Sequence, residues 1–147
     1  MAIQVGTKKR AHVVWEGDLG GSGRFTVGSG AFDEQPVSWA SRTEHEEATS
    51  PEELIAAALA SCFSMALANG LAQGRNAPTK LETDAVATFE KVEAGFRMTR
   101  IALTVRGNVN GLDEEGFRQA AEEAKEGCPV SNALKGNVEL TVDAALA

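Results

Sequence analysis

Residues 49–67 read TSPEELIAAALASCFSMAL, and this stretch decides how the chain folds. Ser50 can cap a helix, and Pro51 suits the first helical position, where its missing N–H would be unpaired anyway. Glu53 completes a Ser-x-x-Glu capping box. Residues 54–68 are apolar on every face, rich in alanine, and carry no Lys, Arg or His. Such a helix is covered on all sides rather than amphipathic. Gly70 and Gly74 mark its fraying end. Cys62 sits in its middle, where a thiol is either a small buried hydrophobe or a nucleophile that the rest of the chain activates.

Around this helix the alternation is that of strands. Residues 8–15 (KKRAHVVW) and 24–29 (RFTVGS) form two, with EGDLGGSG as the turn between them. Those glycines precede no helix pattern, so a hairpin turn is favoured over a phosphate loop. A third short strand is expected at 37–43 (VSWASRT), followed by an acidic loop. Residues 80–91 (KLETDAVATFEK) and 96–106 (FRMTRIALTVR) alternate on either side of VEAG, the pattern of a β-hairpin. Asp113 opens a second helix that runs to about Glu126 and stops at Gly127. CPVSNALKG supplies a further helical turn, and residues 138–143 (VELTVD) close the chain as a strand of period two. The predicted class is α+β, one domain over residues 1–147, with antiparallel strands around a buried central helix.

About six strands cannot cover an all-apolar helix on both sides. A sheet leaves its other face open, and packing two such helices together closes it. Ala56, Ala57, Ala58, Ala60 and Ala66 permit close approach, so a homodimer is predicted.

The composition fits a soluble globular domain, with 43% hydrophobic and 24% charged residues. Net charge is −7 and the 14 basic residues are scattered, which argues against nucleic acid or an anionic membrane as partner. The first fifteen residues contain no long apolar run, so a signal peptide is not expected. A membrane span of roughly 18 uninterrupted apolar residues is not expected either. A cytoplasmic location is predicted, where thiols are kept reduced and a permanent structural disulfide is disfavoured. Cys62, Cys128, His12 and His45 lack the paired spacing of a zinc site, so no metal is expected.

The helical neighbours of Cys62 are Ala58, Leu59, Met65 and Ala66, all apolar. Burial of this kind raises a thiol pKa and makes it inert unless a cation arrives from a distant segment. Cys128 lies between Gly127, a helix stop, and Pro129, a first helical residue, which puts its sulfur at a helix N-terminus. It is either a small residue in a tight corner or the partner of Cys62 in a peroxidatic and resolving pair.

SPEELIAAALASCFSMAL and GCPVSNAL together resemble the two signature motifs of the OsmC/Ohr family of peroxidases, and PVSWASRTE and KVEAGF resemble its OsmC branch. The likeness runs along essentially the whole chain. It implies an intertwined homodimer with central helices and sheets built from both chains. It also implies thiol-dependent reduction of organic hydroperoxides, and of hydrogen peroxide less well, with no metal or prosthetic group. By the same resemblance Cys62 is the peroxidatic thiol, Cys128 the resolving thiol and Glu52 the catalytic glutamate. Arg42 in ASRTE matches the activating arginine of the OsmC branch; Arg24 in GSGRF is the counterpart in the Ohr branch. A planar guanidinium that bonds thiolate on one edge and carboxylate on the other would supply the missing cation.

The resemblance further implies a Cys62–Cys128 disulfide that an external dithiol reduces, with Phe63, Met65 and Phe96 flanking an alkyl tail. A non-enzymatic redox sensor or ligand-binding protein on the same fold is the alternative. Glu52 and Cys62 are separated by ten helical residues, or about 15 Å of rise, too far for one glutamate to span. Antiparallel packing of two helices would bring the start of one near the middle of the other. A composite site is therefore expected, with Glu52 and Arg42 contributed by the partner.

Overall fold

The computed structural model describes residues 6–44 and 47–147, in two compact units, Met1–Pro51 and Glu52–Ala147. The first unit is a three-stranded antiparallel sheet followed by a short helix. Strands β1 (Ala11–Glu16) and β2 (Ser22–Val27) pair from Ala11↔Val27 to Glu16↔Ser22, the expected hairpin. Phe25 is its buried residue, with Phe32 edge-on at 6.0 Å between centroids.

The predicted strand at 37–43 is corrected. Strand β3 covers only Gln35–Val37, and α1 takes over at Trp39–Thr43. The cause is a reciprocal cap: Ser41 N–H donates to Ser38 Oγ and Ser38 N–H to Ser41 Oγ, each at 3.2 Å. Two free amides are thus satisfied at the first turn, which an extended backbone would forgo. Arg42 consequently rides on a helix, its guanidinium 5.4 Å above the Trp39 ring.

The second unit holds the main core. Helix α2 (Pro51–Gln73) begins at the expected proline and continues through Gly70. Its end is a Schellman turn, with Asn76 N–H donating to Leu71 O at 2.8 Å and Arg75 N–H to Ala72 O at 3.0 Å. Arg75 takes the left-handed position, φ 65°, where glycine is usual. The 23-residue helix contains an 18-residue window of mean hydropathy 1.8, which gives it the length and composition of a membrane-crossing helix. What marks it as a core helix is a stripe at helical spacing (Ala56, Leu59, Phe63, Leu67, Leu71) buried in the core of this unit. The chain by itself does not cover the helix all round. Leu54, Ala57, Ala58 and Met65 are exposed, Met65 at 69%.

Strands β4 (Pro78–Val92) and β5 (Gly95–Val109) form the predicted hairpin, longer at both ends, turning over Glu93 and Ala94. Helix α3 (Glu114–Gly127) is capped by Asp113, which accepts from Gly116 N–H at 2.8 Å. It approaches β5 closely at Gly107, where a Cβ would stand 2.6 Å from the Phe117 ring. Helix α4 (Pro129–Leu134) follows after one residue, and β6 (Glu139–Leu146) joins the sheet in the order β4-β5-β6. β6 runs parallel to β5, not antiparallel as expected. The α3–α4 segment carries the chain back to the end of the sheet from which β5 started, so β6 repeats its direction. Leu59, Phe63, Leu67, Ile101, Leu103, Val105 and Phe117 fill the core; each is worth about 1.5–3 kcal/mol relative to exposure. The class is α+β, with antiparallel pairing predominant.

Candidate functional site

The corner between α3 and α4 brings the two cysteines together. Cys128 is the residue between the helices, and its own N–H closes α3 on Ala124 O at 3.0 Å. Pro129 opens α4 at the position where a missing N–H costs nothing. The next two amides serve the two sulfurs. Val130 N–H donates to Cys62, and Ser131 N–H donates to Cys128 at 3.4 Å. Cys62 packs against the core cluster that contains Cys128, near enough for the neighbouring thiol to affect it, and both thiols are free.

The settings of the sulfurs differ. Cys62 is half-buried on α2, while Cys128 is 1% exposed. Burial pushes the Cys62 thiol above its ordinary pKa; the Val130 amide pulls it down, and the adjacent Cys128 raises it again. Val130 and Cys128 belong to the same unit as Cys62. Within this environment a neutral thiol is favoured at pH 7. The sequence argument that Cys62 needs a cation from elsewhere thus keeps its force.

Glu52 is buried on the same stripe of α2 that faces the core. Arg42 lies on α1 in the first unit, half-buried and stacked over Trp39. Arg24 is differently engaged. On β2 it pairs with Glu16 at 2.9 Å and Glu34 at 3.7 Å, chiefly the Glu16 hydrogen bond holding its guanidinium still more firmly protonated.

The expectation that Phe63 flanks a substrate tail is corrected: it is fully buried and packs within the core. Met65 and Phe96 remain exposed, and Phe96 stacks on Phe89 at 5.5 Å across the hairpin. Ala56 likewise is buried, which leaves Ala57 and Ala58 exposed. Among the described residues, no three or more His, Cys, Asp or Glu gather as metal ligands, and His45 lies outside those residues. Ser131, fully buried against Cys128, was not singled out by the sequence reading. Its signal was the Cys-Pro-x-Ser spacing, which puts Ser131 at the third helical position, facing the cap.

Residues 44–143 match the family model described as OsmC-like protein. The chain belongs to the OsmC-like protein family. It is 43% identical over 133 residues to peroxiredoxin OsmC of Escherichia coli (strain K12), covering 90% of this chain and 93% of the relative. It is 32% identical over 126 residues to organic hydroperoxide resistance protein OhrB of Bacillus subtilis (strain 168), covering 84% and 90%. The fold matches the crystal structure of an organic hydroperoxide resistance protein OsmC from Legionella pneumophila, with a TM-score of 0.77. That match covers 97% of this chain and 99% of the other at 23% identity, so it concerns the fold alone.

Proposed function

We propose that this chain is a cysteine-based peroxidase that reduces organic hydroperoxides, and hydrogen peroxide less well, in defence against oxidative or osmotic stress. The peroxide-related names of its family relatives support a redox role of this kind. The observation that carries the proposal is that Cys62 packs against the core cluster containing Cys128, near enough to feel its thiol, one sulfur partly accessible and the other buried.

The Cys62 thiolate attacks the distal peroxide oxygen, the O–O bond breaks, and the leaving alkoxide takes a proton to become an alcohol. Cys62 is then a sulfenic acid. The Cys128 sulfur attacks the Cys62 sulfur, hydroxide leaves and takes up the thiol proton as water, and a Cys62–Cys128 disulfide remains. An external dithiol restores both thiols and is itself oxidised to a disulfide. Arg42 stabilises the thiolate and then the developing alkoxide, with Glu52 orienting the guanidinium. Arg42 is preferred to Arg24 because the PVSWASRTE stretch that carries it resembles the OsmC branch. No metal or prosthetic group takes part, and the setting is the cytoplasm, which keeps free thiols reduced.

The exposed apolar face of α2 supports a homodimer in which antiparallel helices meet. In that assembly Cys62 and Cys128 of one protomer would work with Glu52 and Arg42 of its partner. Neither nucleic acid nor a membrane is a partner. Steady-state reduction of cumene hydroperoxide with a dithiol tests the activity; stoichiometric oxidation without turnover would instead make the protein a sensor. Complementation tests the composite site. Mixed dimers of Cys62→Ser and Glu52→Ala subunits should regain activity, because one of their two sites is intact. A dead mixture with confirmed heterodimers would put the whole site in one chain.

A further inference from the structure

We infer that Ser131 is a catalytic residue of the resolving half-reaction, the donor that holds Cys128 as nucleophile and as leaving group. The inference rests on the peroxidase reading above. Ser131 is fully buried, and its hydroxyl shares a hydrogen bond of 2.9 Å with Cys128 Sγ. Its backbone N–H donates to the same sulfur at 3.4 Å. When Cys128 carries the proton, either atom of the 2.9 Å pair can donate. When Cys128 is a thiolate, only the hydroxyl can, so two donors from one residue converge on the charge. Hydrogen bonds to charged groups are the strong ones, and in a buried site no water replaces a lost donor.

Both directions of the disulfide cycle use this thiolate. In resolution, the Cys128 thiolate forms the S–S bond to the sulfenic sulfur of Cys62 as the S–O bond breaks and hydroxide leaves, taking the proton given up by Cys128. In regeneration, exposure decides which sulfur is attacked. Cys128 is 1% exposed, whereas Cys62 is half-buried, so the external dithiol reaches Cys62. A mixed disulfide with Cys62 forms and the Cys62–Cys128 bond breaks. Cys128 leaves as a thiolate into the two Ser131 donors and later recovers a proton from the dithiol. The facing titratable group is Cys62, whose own amide donor is Val130. Each sulfur therefore has a separate amide, and the hydroxyl is an addition on the Cys128 side.

The test is Ser131→Ala, which keeps the backbone amide and removes only the hydroxyl. One equivalent of cumene hydroperoxide is mixed with reduced enzyme, and Cys62 sulfenic acid and disulfide are followed separately. Sulfenic acid should form at the wild-type rate. Disulfide formation at pH 7 should slow by about tenfold or more, the scale of a lost hydrogen bond to a charged group. Disulfide formation at the wild-type rate overturns the inference alone. A sulfenic step slowed to the same degree also overturns it, since it would mean a displaced corner rather than a lost donor. A wild-type protein that forms sulfenic acid but no Cys62–Cys128 disulfide overturns this inference together with the resolving step, and the Cys62 chemistry then stands apart.

Discussion

The middle of α2 and the corner between α3 and α4 each present a sulfur, and they solve opposite problems. The corner is finished within the chain: Cys128 is buried, caps a helix, accepts from the Ser131 N–H and shares a hydrogen bond with the Ser131 hydroxyl. The middle of α2 is unfinished. Cys62 lies beside an apolar face that the chain leaves open, and its surroundings hold the proton on. Identical side chains thus differ: the more buried Cys128 has the Ser131 hydroxyl and amide beside it, while on the half-buried Cys62 the upward pull of burial outweighs its amide. A thiol of the first kind can wait for a partner; one of the second kind needs a charge brought to it.

The largest expected effect separates the two roles. Cys62→Ser should abolish peroxide turnover, whereas Cys128→Ser should permit one turnover and then stall, leaving Cys62 open to sulfinic oxidation. Mass spectrometry after excess peroxide reads this directly. Equal resistance to overoxidation in wild type and Cys128→Ser would erase the distinction between the two regions.

Arg42→Ala should slow the peroxide step by on the order of a hundredfold, the scale for losing a charged donor to the transition state. Lysine should rescue it poorly, since it lacks the planar fork. Arg24→Ala should change the rate little, because the guanidinium is committed to Glu16 and Glu34. Stopped-flow peroxide reduction ranks the two. The reverse order would move the activating role to β2.

A smaller effect sharpens the account of α2. Under the proposed assembly, in which the partner brings the cation, the iodoacetamide rate at Cys62 in wild type should have a midpoint below the ordinary thiol value. Met65→Lys, placed on the exposed face, should block assembly and shift the midpoint above that value, as the surroundings of the single chain dictate. Identical midpoints would mean that the open face has no part in activation. The sign for stability follows. In the unassembled chain the folded state holds the thiol proton to higher pH than the unfolded state does. The thiol therefore costs stability only as pH rises through and beyond the ordinary thiol value, and nothing below it.

Where the sequence carried discrete chemical signals, it could be read closely. Pro51 opens α2, Asp113 caps α3, and Cys128-Pro129 makes the corner. Other features depended on distant parts of the chain. The end of α2 lies at Arg75, a residue with no preference for its left-handed conformation, while the helix simply absorbs Gly70. α1 is too short for a period of 3.6 to show, and its cap uses Ser41 in place of the usual Glu or Gln. The alternation of β6 gave its faces but not its direction, which the intervening helices set. The site was legible as two thiols by resemblance; that they share one packed cluster, and that Ser131 bonds one of them, required three dimensions.

The parallel course of β6 has a kinetic side. The β4–β5 hairpin closes over two residues, but Arg100 meets Glu139 and Gly107 meets Leu146 only after everything between them has been spanned. Long loops close at an entropic cost that local pairs avoid, and such contacts form slowly. Helix α2 can form from its own residues, whereas the burial of Cys128 waits on α3, α4 and the last strand. A refolding chain should then pass through an interval in which Cys128 is still open to labels. Pulsed alkylation during refolding should find Cys128 the later of the two to reach its final reactivity, after the hairpin amides are already protected from exchange.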